Sequence, residues 1–370
     1  MKFEKPLHVG CPNIGDRKKF HRIVDDIFDR RWLTNRGQCV QEFEARLCDF
    51  LGVKHCITMC NATVGLEIAA KALDLKGEVI IPSMTFVATA HALQWQGIHP
   101  VFADIDRHSY NLDPAAVERA ITPRTTGILA THVYSRPCDI DGLQAVADRH
   151  GLKLLFDAAH AFGCSYKGQM IGNFGECEAF SFHGTKFFNT FEGGAIATNN
   201  DKLAEKIRLM QNFGFSGADN VIYIGTNGKM NEVCAAMGLV NMDSLDEFLA
   251  VNKRNFEAYR AAIEKIDGLS LIEFDEKEKC NRQYMVAEVG DEYPLSRDEL
   301  VEKLQAANVL ARKYFWPGCH NMEPYKSLHP NAGLLLPVTE EVTPRLVVLP
   351  TGTSVDGEII EKIGGLLRND

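Results

Sequence analysis

No Gly-x-Gly-x-x-Gly follows the first strand-like run of this 370-residue chain, which argues against a dinucleotide-binding site. Long apolar runs are also missing. None reaches the roughly 20 residues that a membrane-spanning helix needs, and the opening Met-Lys-Phe-Glu-Lys-Pro has no apolar signal-peptide core. The expectation is a cytoplasmic protein without a membrane. Eleven cysteines are scattered, with no C-x-x-C pair and no His/Cys grouping at zinc spacing, so reduced thiols are expected. Positive charge is in deficit as well. Lys and Arg number 40 against 49 Asp and Glu, a formal net charge of -9, which argues against nucleic-acid binding. That balance leaves a small phosphorylated ligand open, because local N–H groups and single cations can hold one. Repeats, low-complexity tracts and flexible linkers are absent too.

What is present is an ordinary globular composition, 45% hydrophobic and 24% charged, enough for a sizeable core. Helical spacing is read over Arg17–Arg30 and Val40–Leu51, separated by a turn at Trp32–Gly37. From residue 53 short β-rich runs alternate with helices of about ten residues. Strands are expected at Val53–Met59, Glu78–Pro82, Pro100–Asp104, Gly127–His132, Lys153–Asp157, Ala179–His183 and Gly194–Thr198. Helices are expected at Val64–Leu73, Thr85–Gln96, Asp113–Ile121, Asp141–His150, Asp201–Asn212 and Asn231–Leu249, with a long helix over Leu245–Ile266. Such alternation predicts an α/β fold, a mostly parallel sheet with helices on both faces. Beyond residue 245 the pattern changes to β-rich runs (Leu269–Phe274, Gln283–Glu288) with helices at Ser296–Ala307 and Asp356–Leu367. Two domains are therefore expected, 1–245 and 246–370.

In an open parallel sheet, ligands sit beyond the carboxyl ends of the strands. Three groups fall at such ends. Asn61-Ala-Thr63 joins a strand to a helix, where backbone N–H groups and the Thr63 hydroxyl can meet a phosphate. Asp157 closes the run Lys153-Leu-Leu-Phe-Asp157. Ser181 and Lys186 follow the next strand, and the 29-residue gap from Asp157 to Lys186 suits one excursion that returns to an adjacent strand. Each has an ordinary alternative: a helix cap, a turn residue, a solvated lysine. Together at one sheet edge, an amine, a carboxylate and a phosphate cradle point to pyridoxal phosphate, held by the lysine as a Schiff base.

Ser181-x-His183-x-x-Lys186, followed by Phe191-Glu-Gly-Gly194, resembles the lysine motif of the DegT/DnrJ family of nucleotide-sugar aminotransferases. The resemblance continues through Trp32-Leu-Thr-Asn, Asn61-Ala-Thr63, Pro82-Ser-Met-Thr-Phe86-Val-Ala-Thr89, Asp157-Ala-Ala-His160 and Gly225-Thr-Asn227-Gly-Lys-Met230-Asn-Glu. It implies a fold type I pyridoxal-phosphate transferase with a seven-stranded-type sheet and a smaller C-terminal α+β domain. It also implies a homodimer with active sites at the interface. Carried over by motif, Lys186 is the Schiff-base lysine and Asp157 the partner of the pyridine nitrogen. Phe86 stacks on the ring, and Ala62, Thr63 and Ser181 hold the phosphate, with Asn227 reaching in from the other subunit. His160 replaces a glutamine near the phenolic oxygen, which leaves its protonation open. His183 fits either a catalytic or a packed core residue.

On the substrate side the resemblance implies Thr34, Asn35, His183, Lys229, Tyr314 and His320. Pro317-Gly-Cys-His320 departs by one residue from the family's Pro-Leu-His. Arg31, Lys229 and Arg345 are candidate cations for a sugar diphosphate. Asp104-Ile-Asp106 looks like a metal-binding pair, but the family carries acidic residues there without a metal; a turn is preferred and no metal is expected. The implied reaction has two stages. L-Glutamate leaves as 2-oxoglutarate and the cofactor becomes pyridoxamine 5'-phosphate, which then aminates a keto nucleotide sugar. The lysine run is most like that of enzymes converting dTDP-4-keto-6-deoxy-D-glucose to dTDP-4-amino-4,6-dideoxy-D-glucose for O-antigen or other lipopolysaccharide. Alternatives are a C-3 aminotransferase, a non-catalytic regulatory homologue, or a dehydratase of the branch that replaces the lysine by histidine. Retention of Lys186 counts against the last.

Overall fold

Seven short runs whose residues are almost all buried line up as one sheet in a computed structural model that describes residues 2–368. They are β1 (His55–Met59), β2 (Glu78–Pro82), β3 (His99–Ala103), β4 (Thr125–Thr131), β5 (Lys153–Asp157), β6 (Cys177–Ser181) and β7 (Gly194–Thr198). Continuous runs such as Val79-Ile-Ile81 and Leu154-Leu-Phe156 have no polar face to show to water, so both sides of the sheet must be covered. The spatial order is β1-β7-β6-β5-β4-β2-β3. Every pairing is parallel except the two made by β7, which runs antiparallel between β1 and β6. The excursion between Asp157 and Lys186 returns as anticipated, through a hairpin of Ser165–Tyr166 and Gln169–Met170, to β6 beside β5.

Local chemistry sets the helix starts. The Asp16 carboxylate accepts from the amides of Lys18 and Lys19 ahead of Arg17–Arg30. The Asn61 side chain accepts from Val64 N ahead of Ala62–Ala72. The helix expected from Thr85 begins only at Ala88, because the Thr85 hydroxyl is engaged with those of Thr89 and Thr131. The overlapping expectations at Asn231–Leu249 and Leu245–Ile266 separate at Ser244 into Glu232–Asp243 and Leu245–Ile263. A three-stranded antiparallel sheet, β8 (Leu269–Leu271), β9 (Met285–Val289) and β10 (Leu346–Leu349), follows, packed with Arg297–Ala306 and Gly357–Arg368. The fully buried Leu-Val-Val-Leu of β10 was not anticipated from sequence. The helix Leu245–Ile263 spans two cores: Leu245 and Phe248 pack with the large sheet, and Phe256, Tyr259 and Ile263 with the small one. Among the described residues no helix is long and apolar enough to cross a membrane.

Candidate active site

The carboxyl ends of β1, β2, β4, β5 and β6 open onto one cavity of about 590 Å³. Its wall includes Ala62, Thr63, Phe86, Asp157, His160, Ser181, His183, Lys186 and Tyr314, nine of the residues singled out in the sequence. Asp157 ends β5 and is 5% exposed. Thr89 Oγ1 donates to its Oδ2 at 2.7 Å and Ala159 N to its Oδ1 at 3.1 Å. Burial pushes its carboxyl up from the usual range, opposed by those two hydrogen bonds and by the Lys186 charge.

Lys186 sits on the loop between β6 and β7, and its Nζ donates to Tyr284 Oη at 3.2 Å. Burial lowers its amine from 10.5 to about 8, against the pull of Asp157 and Tyr314. Asn13 stitches this loop in place. Its Nδ2 donates to Phe187 O, its own carbonyl accepts from Asn189 Nδ2, and its Oδ1 accepts from the backbone and hydroxyl of Thr353.

His160 is sandwiched by rings, parallel to Phe315 with centroids 5.5 Å apart and edge-on to Tyr284 at 4.8 Å. Its Nδ1 accepts the Tyr134 backbone N–H at 3.3 Å, so the remaining ring proton is on Nε2. Burial, reinforced by the charges of Lys186 and His132, drives its pKa well below 6.5. The protonation left open by the sequence is thus a neutral ring with one N–H to offer.

The wall also supplies a cradle. With Asn61 capping Val64, the amides of Ala62 and Thr63 are the orphan donors of the first helical turn, where the helix dipole favours an anion. Gly194 opposes them at the start of β7. A Cβ there would lie 2.7 Å from Phe180 O and 2.8 Å from Ala62 N. Ser181 ends β6 directly across from Gly194. A buried carboxylate, a half-buried lysine whose amine has a lowered pKa and a helix-end anion cradle in one cavity fit the nitrogen, aldehyde and phosphate of pyridoxal phosphate.

Phe86 is 55% exposed on this wall, not a core aromatic. His183 is likewise not a packed core residue, since it is exposed, with Nδ1 2.8 Å from Thr185 Oγ1 and Nε2 3.4 Å from Glu192. Other candidates stand apart from the cavity. His320 is 2% exposed, with Nδ1 2.6 Å from Ser83 Oγ and Nε2 2.5 Å from Glu340 Oε1. Both ring nitrogens are engaged, which corrects the expectation of a sugar contact. Arg345 pairs with Asp291 at 3.0 Å. Lys229 Nζ donates to Asn212 at 2.7 Å. Arg31, Thr34, Asn35 and Asn227 are exposed and do not line the cavity of a single chain. Asp104 and Asp106 are turn and cap residues, accepting from Val338 and Thr339 and from His108 and Ser109 respectively. Among the described residues no group of three His, Cys, Asp or Glu could hold a metal. Tyr284 was missed, because it comes from the distant β8–β9 segment and no local motif surrounds it.

Residues 15–368 match the DegT/DnrJ/EryC1/StrS aminotransferase family. The chain is 38% identical, over 99% of both chains, to a dTDP-4-amino-4,6-dideoxy-D-glucose transaminase of Shigella dysenteriae. It is 34% identical to a GDP-perosamine synthase of Caulobacter vibrioides, covering 87% of each. A crystal structure of DesI with its TDP-sugar product superposes with a TM-score of 0.95 at 46% identity, covering all of this chain and 93% of that one. The chain belongs to the DegT/DnrJ/EryC1/StrS aminotransferase family and is a pyridoxal-phosphate-dependent transaminase.

Proposed function

We propose that this transaminase moves the amino group of L-glutamate to dTDP-4-keto-6-deoxy-D-glucose, giving dTDP-4-amino-4,6-dideoxy-D-glucose for a cell-surface polysaccharide. The carrying observation is the Lys186 amine, set in the cavity wall with Asp157 and lowered to about 8. It supports amination over dehydration in a family where one branch gives that lysine up. Full-length likeness to a transaminase of that sugar supports the substrate, as does DesI with a TDP-sugar product.

The residues take these roles in the reading. Ala62, Thr63 and Ser181 hold the phosphate, Asp157 faces the pyridine nitrogen, Phe86 lies against the ring, and His160 offers its Nε2–H to the phenolic oxygen. When bound, pyridoxal phosphate supplies an electron sink that lets a proton leave the carbon bearing the amino group. Lys186 Nζ takes up that proton and returns it, acting as base and then as acid. Tyr284 Oη, within hydrogen-bond reach, steadies the amine between the two states. Burial holds the Tyr284 phenol far above its usual range, so it stays protonated. Thr34, Asn35, Asn227 and Lys229 serve a site completed by a second copy in a homodimer, and the enzyme works in the cytoplasm. The same reading divides the chain into a cofactor-binding unit, 1–245, and a C-terminal unit, 246–370.

The test is to supply glutamate and a panel of keto sugar nucleotides, following release of 2-oxoglutarate. The proposal expects stoichiometric release with the 4-keto-6-deoxy dTDP sugar, outpacing its GDP counterpart and 3-keto sugars. Sugar turnover without consumption of an amino donor would overturn it in favour of a dehydratase.

A further inference from the structure

Outside the cavity, two cysteines from distant parts of the chain meet. Cys164 lies on the loop after β5 and Cys280 on the approach to β9. Cys164 Sγ donates to Ser135 O at 3.5 Å, and Cys280 Sγ donates to the same oxygen at 3.6 Å. Both sulfurs are thus gathered on one carbonyl oxygen. Arg282 N donates to Cys280 Sγ at 3.4 Å. Cys164 is fully buried, whereas Cys280 is only partly so and reachable by a small oxidant.

We propose that Cys164 and Cys280 form a dithiol site that a hydroperoxide oxidises reversibly to an intramolecular disulfide, with Cys280 oxidised first. The asymmetry of the pair supports this order. Burial opposes ionisation of Cys280, but the Cys164 thiol, the Arg282 amide and the Arg282 guanidinium together outweigh it and lower the pKa. Burial pushes the Cys164 thiol up. The Cys280 thiolate attacks the peroxide O–O bond, keeps one oxygen as a sulfenic acid and, with a proton, releases water. The Cys164 sulfur then displaces that hydroxyl as a second water. Two thiols lose two electrons and two protons, and hydrogen peroxide is reduced to two waters; a dithiol reductant reverses the change. With both sulfurs held on the Ser135 carbonyl, at 3.5 and 3.6 Å from its oxygen, closing to the roughly 2.05 Å of an S–S bond needs only a local shift of the two loops.

The site bears on the cavity by position. Cys164 follows His160 by four residues and Cys280 precedes Tyr284 by four, so the bond joins the two segments carrying those walls. The Ser135 carbonyl between them adjoins Tyr134, whose amide holds His160.

The experiment treats reduced holoenzyme with one equivalent of hydrogen peroxide, quenches with catalase, alkylates with iodoacetamide and digests with trypsin without reduction. The expected product is the Cys280–Arg282 tripeptide joined to Leu154–Lys167, lost on treatment with dithiothreitol. It should form at least about tenfold faster than oxidation at the partly buried Cys11, Cys48, Cys60 or Cys234. In Cys164→Ser the sulfenic acid at Cys280 has no resolving partner and is trapped as its dimedone adduct. In Cys280→Ser neither product forms. Full carbamidomethylation of both cysteines after peroxide, or joining of Cys280 to any other cysteine, overturns the proposal.

Discussion

Desolvation brings the Lys186 amine down to about 8 although the Asp157 carboxylate in its cavity pulls it up, and that fall has a measurable sign. Only the neutral amine attacks an aldehyde. The rate at which cofactor-free enzyme captures pyridoxal phosphate should rise about tenfold per pH unit below 8 and level above it. Stopped-flow absorbance of the captured cofactor checks this, and a midpoint near the ordinary 10.5 would contradict the assignment. Between those two values the unfolded chain binds the proton more tightly, so this amine's contribution to stability grows as pH rises. Lys186→Ala should melt within a degree or two of the parent yet show no turnover and no borohydride-reducible chromophore. For Asp157→Asn we expect a rate loss of roughly a hundredfold or more, with weaker cofactor retention measured by equilibrium dialysis. The buried partner lost there is charged, and the Thr89 and Ala159 donors that faced it remain.

At the scale of elements, the cradle is made by a helix end and a strand start held face to face. Asn61→Ala removes the acceptor for Val64 N and should lower stability by about 1 kcal/mol, read by urea unfolding. Gly194→Ala is the harsher change, since its Cβ would collide with the backbone of both β6 and the helix start. It should weaken cofactor binding at least tenfold, while the same substitution at Gly151, whose Cβ meets nothing, leaves the affinity unchanged.

These elements were legible to different degrees. Glu78–Pro82 and Lys153–Asp157 could be read to the residue, because unbroken apolar runs closed by turn residues admit little else. Thr85–Val87 read as helix because its three residues are compatible with one; a hydroxyl network reaching across to Thr131 decides otherwise. Asp157, Ser181 and Lys186 were visible because strand ends and the site coincide. Tyr284 was not, since its approach to Lys186 depends on how β9 packs, about a hundred residues away. His320 was misplaced for the opposite reason: a motif-like position does not reveal that Ser83 and Glu340 occupy both ring nitrogens.

For the whole molecule, the exposed Asn227 and the loop bearing Thr34 and Asn35 acquire their proposed roles only in a dimer. Mixing inactive Lys186→Ala chains with Asn227→Ala chains should therefore restore activity to about a quarter of the parent's. Half of the dimers are then mixed, and each mixed dimer has one complete site. Activity no greater than that of the separate variants would place Asn227 in cis or outside the site. The reversal of β7 has a consequence at this scale as well. A parallel β7 would have required a crossover helix, sending the chain to the far edge of the sheet between β6 and its return. Because β7 runs antiparallel, the segment carrying Lys186 leaves and re-enters the sheet at the same rim, anchored at both feet by neighbouring strands. The reactive amine thus rides on a span clamped at both ends to the rim that carries the phosphate cradle.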